Sequence, residues 1–184
     1  MADSGIVRRI LGIDPGTATT GYAVIETKNS VIELVQLGVL RLTHYKDHYV
    51  RLSHIYKCVS QLIIDEKVTD FAIESPFIGQ NAQIALKLGR AQGVAMAAAL
   101  THGLEVTEYA PRKVKQSVTG NGNASKEQVS KMILQQLKQT TVPAYFDATD
   151  ALAVAVCHHY QHNSPSKSTK NWSKFLLENP DRLI

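Results

Sequence analysis

Hydrophobic and polar positions divide the chain into a strand-rich opening and a helix-rich remainder. Ile10-Leu11-Gly12-Ile13 runs without alternation, the pattern of a strand buried on both faces, and Asp14-Pro15-Gly16 closes it in a turn. Gly21 to Ile25 predicts a second strand, joined to the first by the polar stretch Thr17 to Thr20 as an antiparallel hairpin. A third strand is expected around Leu34 to Leu42, where Leu34, Leu37, Val39 and Leu40 break strict alternation and leave its limits open. From Tyr49 to Asp65, Leu52, Ile55, Tyr56, Val59, Leu62 and Ile63 recur at intervals of three and four, which predicts an amphipathic helix packed on this meander. Phe71-Ala72-Ile73 reads as a short strand ending at Glu74 and stopped by Ser75-Pro76-Phe77.

The second half continues with a long helix over Gln80 to Leu100 and a fifth strand from Leu104 to Glu108, ended by Ala110-Pro111. Pro111 suits the first turn of a short helix through Val118. Gly120 to Asn123 is a loop. Ser125 and Gln128 then form a capping-box pattern opening a helix with Val129, Met132, Ile133 and Leu137 on one face. Phe146 to His159 predicts the last helix, and Ser164 to Ser168 a linker. The expected organisation is one domain over residues 1–163, followed by a linker and tail at 164–184 with at most a short docking turn around Trp172, Phe175 and Leu176. There is no internal repeat.

Composition narrows the class. At 184 residues and 44% hydrophobic, the chain is long enough for a single packed core. Its longest apolar run, Val94 to Leu100, is too short to cross a bilayer, and the N-terminus has no signal-peptide pattern, so a soluble, untargeted protein without a membrane partner is expected. Cys58 and Cys157 are far apart and form neither a disulfide framework nor a zinc knuckle, which fits a reducing cytoplasm. The net charge of +4 is unevenly placed. Residues 111–138 hold Arg112, Lys113, Lys115, Lys126, Lys131 and Lys138 against the single acid Glu127, while the rest of the chain is nearly balanced. One segment therefore carries the excess, and it points to a polyanionic partner.

The acids supply the candidate chemistry. Asp14 and Glu74 each end an apolar strand beside a proline turn. Asp147 and Asp150, three apart, share one face of the last helix with Cβ atoms about 5–6 Å from each other. Asp14 could merely cap its turn and Asp147 merely favour a helix start, but Asp150 sits against the apolar run Ala151 to Val156. Four carboxylates from two strand ends and one helix suit Mg²⁺ or Mn²⁺, hard cations that take oxygen ligands. Two such ions about 3.5–4 Å apart form the clamp used for in-line displacement at a phosphodiester.

Several features remain open on sequence alone. The small residues Ala85, Gly89, Gly93 and Ala97 form a stripe that suits either this chain's own sheet or a dimer seam. Phe77 is a core residue at a strand end or an outward stacking group, and Lys126 is a solvated charge or a phosphate contact at a helix start. His158, His159 and His162, beside a polar linker, are expected to be solvated rather than metal ligands, and Glu108 is the best rival carboxylate. Gly120 to Lys126 lacks the Gly-Lys-Ser/Thr order of a P-loop.

Taken together, Ile10 to Gly16 with Thr20-Gly21-Tyr22, Ala72-Ile73-Glu74, Ala85 to Gly89 and Asp147 to Ala153 closely resemble the RuvC family of bacterial Holliday junction resolvases, in unbroken order over roughly residues 8–160. The resemblance implies an α/β fold of RNase H type, with a five-stranded mixed sheet whose first three strands are antiparallel and helices on both faces. It implies a homodimer that cuts opposed strands of a four-way DNA junction, with two Mg²⁺ per site replaceable by Mn²⁺. By resemblance the catalytic, metal-binding acids are Asp14, Glu74, Asp147 and Asp150, the lysines near the scissile phosphate Lys115 and Lys126, and the stacking aromatic Phe77. Arg112 and Lys113 join these as candidate DNA contacts, and a RuvA–RuvB branch-migration machine is the implied partner. Two rivals are a junction-binding dimer without cleavage, which has no need of four phosphate-repelling acids, and an actin- or hexokinase-like phosphate loop, which needs a second domain the chain has no room for.

Overall fold

The computed structural model describes residues 6–29, 31–76, 81–139 and 145–163. Its centre is a five-stranded sheet of order β3-β2-β1-β4-β5. Strands β1 (Val7–Asp14), β2 (Thr19–Lys28) and β3 (Val31–Arg41) form the antiparallel meander, while β4 (Asp70–Glu74) and β5 (Val106–Tyr109) add in parallel on the far side of β1. The irregular apolar spacing of the third strand has a local cause: the β2–β3 register shifts at Val24/Ile25, so residues on either side of the shift face the core out of phase.

Helices cover both faces. Helix α1 (His48–Asp65), capped by the Asp47 carboxylate, and α2 (Ala82–Thr101), capped by the Asn81 side chain, bury Ile55, Val59, Ile63, Ala91, Ala95, Ala98 and Ala99 against Leu11, Ile13, Val24, Phe71 and Ile73. On the other face lie α3 (Pro111–Thr119), α4 (Lys126–Gln136) and α5 (Phe146–Asn163). The Ser125–Gln128 capping box forms as expected, with Ser125 Oγ accepting from Gln128 N and Gln128 Oε1 accepting from Ser125 N. Helix α5 is the central pillar: Ala151 to Cys157 are all essentially inaccessible, packed between the sheet and α3–α4.

Two glycines let that pillar sit on the sheet. A Cβ on Gly12 would lie 2.3 Å from the Ala151 carbonyl oxygen, and one on Gly21 only 1.9 Å from that of Asp147. Asp14 pairs with Gly21 across β1–β2, so the close approach at Gly21 sets the first turn of α5 directly over the end of β1. The expectation that the terminal histidines are solvated holds for exposed His162 and fails for the other two. His158 and His159 are buried, because α5 runs on to Asn163 and carries them under the far end of the sheet. There the Tyr109 hydroxyl and His158 Nδ1 hydrogen-bond at 3.0 Å, and Arg8 pairs with Asp70 beside His158 Nε2. Burial alone would raise the Asp70 carboxyl, but hydrogen bonds from His158, Arg8 and Thr69 outweigh it and hold Asp70 well below the ordinary carboxylate range.

Candidate active site

Asp14 is the last residue of β1 and Glu74 the last of β4, and these two strands are parallel neighbours in register, Ile13 opposite Ile73. The two acids therefore emerge side by side at the carboxyl ends of adjacent strands, a common location for α/β sites. Helix α5 delivers Asp147 and Asp150 to the same end, one turn apart. Carboxylate oxygens of Asp14, Asp147 and Asp150 lie within 4.8 Å of one another. Glu74 stands outside that trio but lines the same cleft, of about 60 Å³, with Asp14, Asp150, Lys115 and Lys126.

The electrostatics record the crowding. Burial first, and then the charges of Glu74, Asp150 and Asp147, push the Asp14 carboxyl up to about 8, against a lowering by Lys126. Glu74 is pushed up to about 7 by burial and by Asp150, opposed by Lys126 and Lys115. The Lys126 ammonium lies 2.5 Å from Asp150 Oδ2, its side chain about half exposed while Asp150 is largely covered. Burial pulls the Lys126 ammonium down, but the Asp150 hydrogen bond and the charges of Asp150, Asp14 and Asp147 more than reverse this. Two carboxyls raised by burial and by the charges of neighbouring acids, Asp14 and Glu74, mark a site that a cation would relieve. An all-carboxylate donor set fits a hard divalent ion such as Mg²⁺ or Mn²⁺.

The remaining sequence candidates fall into three places. Lys115, on α3, and Lys126, the first residue of α4, converge on the cleft from the β5 side of the sheet, so Lys126 is not simply a solvated charge. Arg112 and Lys113 are exposed on α3 and do not line the cleft; Arg112 packs instead along Gly122. Phe77 lies outside the described residues. Glu108 is set aside as a rival ligand, because its carboxylate accepts from Gln92 Nε2 at 2.8 Å and from Ser75. Sequence inspection misses one neighbour of the site altogether. Arg41, at the end of β3, donates to the Tyr145 hydroxyl and stacks on its ring, two residues before Asp147.

Comparison with known proteins agrees with this geometry. Residues 10–158 match the family model described as crossover junction endodeoxyribonuclease RuvC. The RuvC of Cytophaga hutchinsonii is 51% identical over 97% of this chain and 89% of its own length, and that of Christiangramia forsetii 48% over 96% and 93%. The solved structure of Thermus thermophilus RuvC in complex with Holliday junction substrate superposes with a TM-score of 0.79 at 29% identity, covering 84% of this chain and 94% of that one. A five-stranded mixed sheet with four carboxylates gathered at one end, matched over nearly the whole chain, places this protein in the RuvC family of crossover junction endodeoxyribonucleases.

Proposed function

We propose that the protein is a structure-selective endonuclease that resolves four-way DNA junctions by paired, metal-dependent phosphodiester hydrolysis in homologous recombination and repair. The observation that carries this is the convergence of Asp14, Asp147 and Asp150 within 4.8 Å, beside Glu74 and two lysines, in a chain of this family. Asp14, Glu74, Asp147 and Asp150 would hold Mg²⁺, as two ions per site, or Mn²⁺ in its place. When bound, such cations supply Lewis acidity to the phosphate and to the attacking water. Glu74 accepts a hydrogen bond from that water and orients it. Lys115 and Lys126 present ammonium groups to the scissile phosphate and neutralise charge that builds there. Until DNA arrives, Lys126 compensates Asp150. The products are a 5′-phosphate and a 3′-hydroxyl.

Resolution of a two-fold junction needs two such sites, and a homodimer supplies them. The small-residue stripe of α2 supports this. It does not pack on this chain's own sheet: Gly89, Gly93 and Ala97 are exposed, and a Cβ on either glycine meets nothing within 4 Å, while Ala91, Ala95, Ala98 and Ala99 do the internal packing. Leu86 and Leu100 extend this outward face with apolar surface, which a second copy would cover. The nuclease resides in residues 1–163, with 164–184 as linker and tail. Phe77, just beyond the end of β4, would stack on a junction base, and Arg112 and Lys113 would contact DNA outside the cleft. A RuvA–RuvB branch-migration complex is the expected partner, and the cytoplasm the expected compartment. No helix among the described residues is long and apolar enough to cross a membrane.

The test is cleavage of a synthetic immobile four-way junction against a matched linear duplex in Mg²⁺, with the ends of the products analysed. Symmetric nicks in opposed strands, ligatable without further treatment, are expected from the junction alone. Binding without cleavage in either Mg²⁺ or Mn²⁺ would favour the non-cleaving dimer instead.

A further inference from the structure

The acid cluster has cationic side chains on one flank, Lys115 and Lys126 from α3 and α4 on the β5 side. A DNA strand whose scissile phosphate lies over the acids must continue across the other flank as well, over the ends of β2 and β3. What the sheet presents there is Arg41. Register places it: Asp14 is opposite Gly21, Gly21 opposite Val39, and Thr19 opposite Arg41, so Arg41 sits two strands from Asp14 and two residue pairs further towards the same pole. With strands about 4.8 Å apart and about 3.4 Å per residue, the two Cα atoms are about 12 Å apart. Side chains alternate along β3, which puts Arg41 on the same sheet face as Asp14 and α5.

Arg41 is exposed, yet it is held. Its guanidinium lies 4.9 Å from the centroid of the Tyr145 ring, and one of its N–H groups donates to the Tyr145 hydroxyl. Tyr145 and the adjacent Phe146 are themselves 42% and 47% exposed at the very start of α5, an unusual place for two solvent-facing aromatics. No carboxylate pairs with Arg41 among the described residues, whereas Arg8 and Arg9 are both committed to acids. Arg41 is thus an oriented fork with donors to spare, aimed from an edge strand next to the metal-type site. That is the arrangement that binds a phosphate bidentately.

We infer that Arg41, oriented by Tyr145, is a positioning residue that grips a backbone phosphate of the cleaved strand on the side of the acids opposite Lys115 and Lys126, with Phe146 offering a face to the adjoining sugar or base. This rests on the nuclease function proposed above. Held on both flanks, the scissile phosphate is fixed over the acids rather than merely attracted to them, and the contact is indifferent to base sequence.

The experiment measures binding of a fluorescent four-way junction in EDTA, where no cleavage occurs, over about 50–200 mM NaCl, for wild type, Arg41→Gln, Arg41→Lys and Tyr145→Phe. Arg41→Gln should bind about tenfold more weakly at the low-salt end, with the log–log salt dependence shallower by about 0.7–0.9 for each Arg41 engaged. Arg41→Lys should keep the wild-type slope and lose a few-fold in affinity. Tyr145→Phe, which removes only the hydroxyl and leaves the ring, should also lose a few-fold. Wild-type slope and affinity in both Arg41→Gln and Tyr145→Phe would overturn the inference while leaving the nuclease function intact. Failure of the wild type to prefer the junction over a duplex would overturn both.

Discussion

Asp14→Asn should make the metal-free protein more stable, and the gain should depend on pH. The Asp14 carboxyl is raised from 3.8 to about 8 in the fold, by burial and by Glu74, Asp150 and Asp147. The folded state therefore holds a proton that the unfolded chain releases near its ordinary value. Stability from this group is fully present below about pH 4 and is lost as pH rises to about 8, above which the loss is constant. A rise of about four units at about 1.4 kcal/mol each gives an upper bound near 6 kcal/mol. Water and counter-ions reaching the cleft mouth, together with side-chain relaxation, should leave roughly half, about 3 kcal/mol. Asparagine has the shape of the carboxyl without its charge, so Asp14→Asn should raise the melting temperature in EDTA at pH 8 by about 6–12 °C for a domain of this size. The difference should shrink below about 2 °C near pH 4. Thermal unfolding followed by circular dichroism at three pH values reads this directly. A variant equal to or less stable than wild type at pH 8 would refute the idea that the fold buries the Asp14 carboxyl beside like charges at a cost in stability. Binding of a divalent cation to the folded state alone should stabilise the wild type far more than the variant.

Three further outcomes follow from the same geometry. Mn²⁺ affinity, measured by calorimetry, should weaken by about two orders of magnitude or more between pH 8 and pH 6, because Glu74, raised to about 7, and Asp14, raised to about 8, must lose their protons to serve a cation; a flat profile would argue against both as ligands. Gly21→Ala drives a Cβ into the Asp147 carbonyl, so the first turn of α5 must lift. It should cost about 2–4 kcal/mol in urea unfolding and abolish junction cleavage, while comparable stability and activity would show that the close approach carries nothing. Gly89→Arg, on the exposed stripe of α2 where no atom of the same chain is near, should leave the melting temperature within about 2 °C and yield a monomer by light scattering; a persistent dimer would place the seam elsewhere.

Much of this was written locally in the chain. Apolar runs ending in an acid beside proline announced β1 and β4 with Asp14 and Glu74 at their ends, and the Ser125–Gln128 box announced the start of α4. The apolar run from Ala151 to Val156 likewise set Asp150 among apolar neighbours, and those residues are buried in α5. What the sequence left open depends on contacts between distant residues. Arg41 and Tyr145 are 104 positions apart, and neither sits in a motif. Burial of His158 and His159 is set by where the end of α5 meets Arg8, Asp70 and Tyr109, which a polar linker following in sequence does not reveal. The irregular third strand looked ambiguous because its phase is reset by a register shift in pairing, not by its own residues. The small-residue stripe could not be assigned a face by spacing alone, because helical periodicity defines faces without saying which one meets the sheet.

The most direct measurement compares wild type and Asp14→Asn on one doubly labelled four-way junction in Mg²⁺, recording binding by anisotropy and cleavage of the two opposed strands in the same samples. Paired cleavage is expected from the wild type, and from Asp14→Asn junction binding within a few-fold of wild type with cleavage reduced by about a hundred- to a thousandfold, the scale of losing a principal electrostatic contribution. Cleavage by Asp14→Asn at near the wild-type rate would contradict this, because the carboxylate at the centre of the cluster would then have no part in the chemistry.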